Sequence, residues 1–403
     1  MRKQRIKYDR RAAADGLRRA GKRGTKMSDQ QPQGTTMLVE KKTFSIPRFT
    51  TQGGRLIKDV RVGYETYGQL NAAGDNAILV CHYFSGSSHC AGKYRPDDEL
   101  AGYWDAIIGP GKAIDTDRYF VVSADTMSNV SPKDPMVATV GPATIDPDTG
   151  RPYGSTFPIV TIRDFVRIQR ALVDHLGITR LKCVTGPSMG AMQTLEWGAQ
   201  YPELVERLIP VAGAGLQAEP YFIAEIDMWA TPILMDPNWK GGDYFGGSEP
   251  VEGLRQSLKI VTVTARAPDW ALNLFGRNWS RPGADPLAAA ENTYSVESTL
   301  DAVVLQRGRY ADAAHLVHLV RGCRIFDVDQ GGGSVKAIRA PTLLIAVRTD
   351  GVMFPAYSRR AAEQLRAQGT PVQLAEIDTD GGHLDCLYEI ARAAPQIADF
   401  LER

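Results

Sequence analysis

The sequence predicts an open, mostly parallel, doubly wound α/β sheet interrupted by a helical insertion. Three observations carry this. Short, nearly continuous apolar runs recur along the chain, as in strands buried on both faces. Helical patterns lie between them. One strand–helix junction reads Gly186-Pro187-Ser188-Met189-Gly190, a tight turn with a serine at its apex.

The first 26 of the 403 residues hold eleven Lys/Arg and two Asp, a net of +9. With +1 overall, the remainder is near −8. A body that acidic is a poor general nucleic-acid binder, so no nucleic-acid partner is expected. The tail has no apolar core of a secretory signal. It reads as a disordered extension, with Met27 as a candidate true start and a nucleic-acid arm or a transit-like segment as alternatives, and the disordered basic and polar tail as a whole is expected to span 1–40. Order is expected from near Lys41, where FSIPRF and VRVGYETYG alternate as edge strands do. AILVCH (77–82), RYFVVSAD (118–125), LKCVTG (181–186), RLIPVAG (207–213), TLLIAV (342–347) and VQLAEID (372–378) are the buried-strand candidates. The segment 161–177 places Phe165, Ile168, Leu172 and Leu176 on one helical stripe and stops at Gly177. A second helix is expected over 192–202, ended by Pro202. The alternation breaks between 215 and 335, a helix-like stretch rich in Trp, Met and Pro. The expected division is therefore a core of 41–214 and 336–403 with a helical lid over 215–335.

Five scattered cysteines without a Cys-x-x-Cys pair argue against a disulfide framework or a structural zinc site. Reduced thiols in a cytoplasmic protein are expected. No apolar run reaches the roughly 18 residues of a membrane helix.

The serine turn is the most informative segment. A strand running into Gly-x-Ser-x-Gly and straight into a helix lifts the serine hydroxyl above the sheet, and the flanking glycines accommodate backbone crowding. The Met189 N–H then faces a developing oxyanion at the helix N-terminus. The serine needs a base and the base an orienting carboxylate. Of six histidines, His383 follows the last strand on a Gly-Gly turn, where this sheet type delivers its base. His175 reads as surface, and His315 and His318 as packing or rim residues of the insertion. His82, at a strand end, reads as a structural hydrogen-bonding group. Asp350, three residues past the strand 342–347, is the preferred acid. Asp327 and Asp329 lie at the wrong end of that strand, while Asp378, Asp380 and Asp385 sit close to His383 in sequence. The second oxyanion donor is expected from the loop after AILVCH, from the backbone N–H of Tyr83 or Phe84. His89 and the serines beside it are candidates for the pocket lining.

Several separate stretches then resemble one family. They include VGYETYGQLN (62–71), HYFSGSSH with AGKY, GYWDAIIGPGKAIDTDRYFVV (102–122), RPYGSTFPIVTIRDFV (151–166), GPSMGAMQTLEW (186–197) and DPNWKGGDY (236–244). Together they resemble the homoserine O-acetyltransferases of the α/β-hydrolase superfamily, from about Phe44 to the C-terminus. The resemblance implies an α/β-hydrolase fold, with Ser188, Asp350 and His383 at the motif-matched catalytic positions. It implies transfer of an acetyl group from acetyl-CoA to an amino-acid hydroxyl, usually of homoserine, on the way to methionine. Acetyl-CoA is then a co-substrate and no metal or resident cofactor is implied. The partners implied are small molecules, with a homodimer formed through the lid.

Two departures bear on the acceptor. Residues 131–142 read SPKDPMVATVGP where the family is Gly-rich. The family also places an Arg in the first lid helix to grip the acceptor's carboxylate. Here IDMWATPILMDP (226–237) has no basic residue, and Trp229 or Ala230 stands in that place. Arg277, in LFGRNW, is the expected replacement, with a surface role as the alternative reading. The competing activity is that of a serine esterase of the same fold, with water as acceptor.

Overall fold

The computed structural model describes residues 37–403; the basic tail lies outside the described residues, as does most of the stretch expected to precede order. Ten strands occur: β1 (Lys42–Thr50), β2 (Leu56–Tyr67), β3 (Ala77–Cys81), β4 (Ile108–Gly109), β5 (Ile114–Asp115), β6 (Phe120–Ala124), β7 (Leu181–Pro187), β8 (Leu208–Val211), β9 (Thr342–Val347) and β10 (Val372–Ile377). Eight of them form one sheet in the order β1-β2-β6-β3-β7-β8-β9-β10, while β4 and β5 pair separately. The β1–β2 and β2–β6 pairs are antiparallel and all later pairs parallel.

The apolar runs explain the layers. In β3, Ala77, Leu79 and Cys81 enter one core while Ile78 and Val80 enter the other. Helices α1 (Ile162–His175) and α2 (Met189–Gln200) pack on the first face through Phe165, Leu172, Leu195 and Trp197. On the opposite face Trp104 is fully buried, and its indole N–H reaches the Cys386 carbonyl at 3.0 Å. Both faces are covered, as a mostly parallel sheet requires.

Local signals account for the boundaries. Thr161 caps α1 in a capping box with Asp164. Gly177, at φ 73°, turns the chain out of that helix. Helix α2 begins three residues earlier than expected, immediately after Ser188, because the turn itself serves as its start. Two expectations are corrected at the sheet edges. β2 is flanked on both sides, by β1 and β6, so only β1 is an edge strand there. β10 is the other edge: only Ile377 is buried, and Gln373, Leu374 and Glu376 face solvent. An outermost strand has one neighbour and one covered face, which an apolar count along the sequence does not reveal.

Between β8 and β9 the chain forms α3 (Pro220–Met235), α4 (Val251–Thr264), α5 (Pro268–Phe275), α6 (Ser295–Arg307) and α7 (Ala313–Arg324). Helix α8 (Pro355–Ala367) follows β9, and a short α9 (Asp385–Tyr388) and α10 (Ala394–Glu402) close the chain. Residues Phe222, Ile226, Trp229 and Ile233 of α3 recur on one side and join the core. α10 buries Ile397, Phe400 and Leu401 on the opposite face of the sheet.

Candidate active site

Ser188, Asp350 and His383 all follow the C-terminal ends of parallel strands, the edge of an open α/β sheet where ligands bind. Ser188 has φ 58°, a conformation non-glycine residues rarely hold. Its neighbours show why the turn needs glycine. A Cβ on Gly186 would lie 2.3 Å from the Cys81 carbonyl oxygen, and one on Gly190 2.1 Å from the same atom. The end of β3 thus presses against the turn, and the Ser188 N–H is anchored to the Val211 carbonyl of β8 at 2.9 Å.

His383 Nε2 lies 2.8 Å from Ser188 Oγ, and its Nδ1 lies 2.6 Å from Asp350 Oδ2. All three residues are buried. The other Asp350 oxygen accepts the N–H groups of Val352 and Met353, each at 2.8 Å. That fixes the carboxylate on the imidazole. The His383 loop is held as tightly. The Gly382 N–H donates to Thr349 Oγ1, and Gly382 takes φ 87°. The Leu384 N–H donates to the Ala265 carbonyl and the Ala267 N–H to the Gly381 carbonyl, so the α4–α5 junction clamps the histidine turn. Asp378 and Asp380 instead pair with Arg348 at the surface, and Asp385 accepts from the Gly381 N–H.

The loop after β3 is braced from three sides. His82 Nε2 accepts the Thr126 N–H at 3.1 Å, which leaves Nδ1 to donate to the Tyr83 carbonyl at 2.7 Å. Burial pushes the His82 pKa down to about 4, so the ring is neutral. Asn129 donates to the Gly86 carbonyl at 2.8 Å, and Gln193 of α2 donates to the His82 carbonyl at 3.3 Å. Behind the loop, Lys41 pairs with Glu65 and Asp125, and Asp125 accepts the Ser88 N–H at 2.7 Å. Burial alone would raise Glu65, but the His89 hydrogen bond and the Lys41 charge outweigh it and hold the pKa at about 2. His89 and Ser88 therefore belong to this support rather than to the pocket lining.

The cavity at Ser188 is lined by Phe84, Met189, Phe222, Ile226, Trp229, Cys323 and Met353. The space between these side chains is about 250 Å³, part of it open to solvent. Phe84 meets the Trp229 ring edge-on at 5.3 Å. Among the expected donors, Met189 stands at the first position of α2, where a helix leaves its N–H without an intrahelical partner. The Phe84 side chain is in the wall, whereas the Tyr83 ring turns away against Tyr103. A more open depression along the β1–β2 hairpin is lined by Thr43, Ser45, Ile46, Pro47, Asp59 and Arg61, with no histidine to serve either hydroxyl as a base.

Trp229 thus lies where a substrate-binding residue was expected, and Arg277 does not. Arg277 is exposed on the turn after α5, over the Tyr294 ring and bonded to its hydroxyl at 3.1 Å. The Tyr294 ring and hydroxyl are its partners there. One basic residue of the inserted helices, Arg307, reaches the loop after β3. It donates to Ser85 Oγ at 3.1 Å and to Thr262 Oγ1 at 2.8 Å, and it has no carboxylate within ion-pair distance among the described residues. Burial pushes its pKa down. His315 is braced between the Asn129 carbonyl and the Ala143 N–H, His318 packs on Phe157, and His175 is exposed.

Residues 100–390 match the family model for the alpha/beta hydrolase fold. The homoserine O-acetyltransferase of Symbiobacterium thermophilum is 40% identical over 357 residues, covering 87% of this chain and 91% of that protein. The chain belongs to the homoserine O-acetyltransferase family. Among solved structures of similar shape, the homoserine O-acetyltransferase from Bacillus anthracis is 34% identical with a TM-score of 0.86, covering 91% of this chain and 98% of that one. The crystal structure of esterase E22 is 44% identical with a TM-score of 0.85, covering 90% of this chain and all of that one. The fold of this homoserine O-acetyltransferase family member is thereby shared with proteins named for transfer and with one named for hydrolysis.

The five cysteines are all free and buried, and the described residues hold no cluster of His, Cys, Asp and Glu suited to a metal ion. No helix of the described residues is long and apolar enough to cross a membrane.

Proposed function

We propose that the chain is a serine-dependent O-acetyltransferase that moves an acetyl group from acetyl-CoA to the hydroxyl of a small, homoserine-like acceptor. The observation that carries this reading is the continuous hydrogen-bonded line Ser188–His383–Asp350 under a closed apolar wall. His383 Nε2 takes the Ser188 proton as Oγ attacks the thioester carbonyl. The N–H groups of Met189 and of Phe84 or Tyr83 hold the oxyanion. The C–S bond breaks, and CoA leaves with the proton carried by His383. The acceptor hydroxyl then gives its proton to His383, attacks acetyl-Ser188, and the proton returns to Ser188 Oγ as the new ester departs. Asp350 keeps the imidazole oriented and stabilises its cation in both halves.

The segment 215–335 serves as the lid. Transfer over hydrolysis requires water to be kept from the acyl-enzyme, and the apolar side chains of Phe84, Phe222, Ile226, Trp229 and Met353 around Ser188 support that. Arg307, held at Ser85 without a carboxylate partner, supports binding of an anionic substrate group. The partners are small molecules, with acetyl-CoA as co-substrate rather than resident cofactor, and the buried reduced thiols support a cytoplasmic setting. Tyr221, Met228 and Met235, exposed seven residues apart along α3, support self-association through the lid; light scattering tests it by giving a dimer mass.

Two observations favour hydrolysis as a second reading: the buried face of α3 carries no basic residue, and esterase E22 shares 44% of the aligned residues. CoA release from acetyl-CoA, with and without L-homoserine, L-serine and simple alcohols, separates the two. Acceptor-dependent release is expected. Release that is independent of every acceptor and absent in Ser188→Ala places water in the second half-reaction.

A further inference from the structure

Every buried carboxyl side chain in the described residues has hydrogen-bond partners except one. Glu65, Asp125, Asp164, Glu196, Asp312, Asp350 and Asp385 are each bonded to side chains, backbone N–H groups or both. Glu225 is 6% exposed and makes no hydrogen bond or ion pair, and its Oε2 is buried without a partner. Its place is not arbitrary. It stands on the buried face of α3, between Phe222, Ile226 and Trp229, which line the cavity at Ser188. One turn further on, Trp229 Nε1 is also buried and unpartnered. So is the hydroxyl of Tyr357 on α8, which lies close enough for the charge of Glu225 to act on it.

Of these groups Trp229 lines the cavity, while Glu225 stands on the same helix face near enough to His383 and Asp350 for their charges to act on it. A lone acceptor and two lone donors beside a reaction cavity have the pattern of groups whose partners arrive with the substrate. We propose that Glu225 is a specificity residue of this serine site, and that its carboxylate receives the amino group of the acyl acceptor. The proposal rests on the acyl-transfer reading and narrows the acceptor to a hydroxyl compound that also bears an amine. Burial raises the Glu225 pKa to about 7, the His383 charge drawing it down and the Asp350 charge pushing it up. An incoming ammonium ion replaces the missing countercharge and holds the carboxyl ionised. Trp229 Nε1 and the Tyr357 hydroxyl then remain as donors for the acceptor's oxygen atoms. The bonds made and broken at Ser188 are unchanged; Glu225 acts on which alcohol is seated there.

The test compares L-homoserine with 4-hydroxybutyrate, which has the same hydroxyl and carboxylate and lacks the amine. Full-length wild type and Glu225→Gln are each given acetyl-CoA, and kcat/KM is measured for both acceptors. The ratio within one preparation cancels any loss of folded protein, and the burst of p-nitrophenol from p-nitrophenyl acetate counts competent serine sites. The wild type is expected to prefer the amino acceptor by about tenfold or more, mainly in KM, and Glu225→Gln to lose that preference while keeping its burst. An unchanged ratio in Glu225→Gln, or no preference in the wild type, overturns the proposal. If water proves to be the acceptor, the transfer reading fails on its own. The same ratio is then read on hydrolysis of O-acetylhomoserine against 4-acetoxybutyrate, whose alcohol portions occupy the same site.

Discussion

Asp350 accepts three hydrogen bonds, two from backbone N–H groups and one from His383, so its carboxylate acts as a fixed support for the imidazole. Asp350→Asn keeps the shape and offers the wrong group to Nδ1. It is expected to lower kcat for p-nitrophenyl acetate by about 10³–10⁴-fold, with a melting temperature close to wild type. His318 makes a second residue-scale prediction. Burial and the nearby Arg321 charge push its pKa down from 6.5 to about 3, and its Nδ1 has no partner. The unfolded chain therefore takes up the proton first as pH falls below 6.5, and stability is lost from there down towards pH 3. By pH 5 the loss from this one group is about 2 kcal/mol. His318→Phe is expected to show a correspondingly smaller fall in urea stability between pH 7 and pH 5. At this scale the sequence was legible where a residue's job follows from its place at a strand end. Ser188, Asp350 and His383 were reached that way. Arg277 lies exposed over the Tyr294 ring, the surface alternative of its reading; nothing local tells which basic residue of an insertion folds inward. Glu225 did leave a signal: it is a lone acid on the apolar stripe Phe222, Ile226, Trp229, Ile233.

The β7–turn–α2 unit, with the end of β3 packed against it, is the element on which the chemistry depends. Alanine in place of Gly190 gains up to about 1 kcal/mol of helix propensity. Against this, the new Cβ would stand 2.1 Å from the Cys81 carbonyl oxygen, a backbone atom that cannot swing aside. Overpacking at such a point typically costs about 1–3 kcal/mol. Gly190→Ala is expected to be less stable despite its better propensity, and to lose activity beyond its loss of folded protein, because the displaced turn carries Ser188. Thermal melts and burst titration of the same sample check both parts. The apolar runs located every parallel strand of the main sheet, and the stripe Phe165, Ile168, Leu172 and Leu176 located the helix α1. The edge position of β10 and the short β4–β5 pair were not legible, since both depend on which neighbours the chain finds in three dimensions.

Across the whole molecule, the inserted helices are tied to the sheet at points far apart in sequence. The α4–α5 junction holds the histidine turn. At the return to the core, Arg163 of α1 pairs with buried Glu196 of α2 and donates to the Val328 carbonyl at 3.3 Å. Burial keeps the Glu196 pKa raised even with Arg163 drawing it down. Removing the cation leaves an uncompensated buried acid. Arg163→Ala is therefore expected to cost about 3–5 kcal/mol in urea denaturation, with Ser188 still acylated in the fraction that remains folded. The break in strand–helix alternation corresponds to the five helices that lie between β8 and β9. Their docking was not legible, because it is made by backbone groups and buried ion pairs that leave no periodic trace.

The central claim is that the acetyl group rests on Ser188 between donor and acceptor. Rapid mixing with acetyl-CoA, acid quench and mass analysis of the intact chain and its peptides test this directly. The account predicts a gain of one acetyl group on the peptide containing Ser188, formed before any acceptor is added and discharged when the acceptor arrives. Turnover that proceeds without this adduct, or that survives in Ser188→Ala, contradicts it.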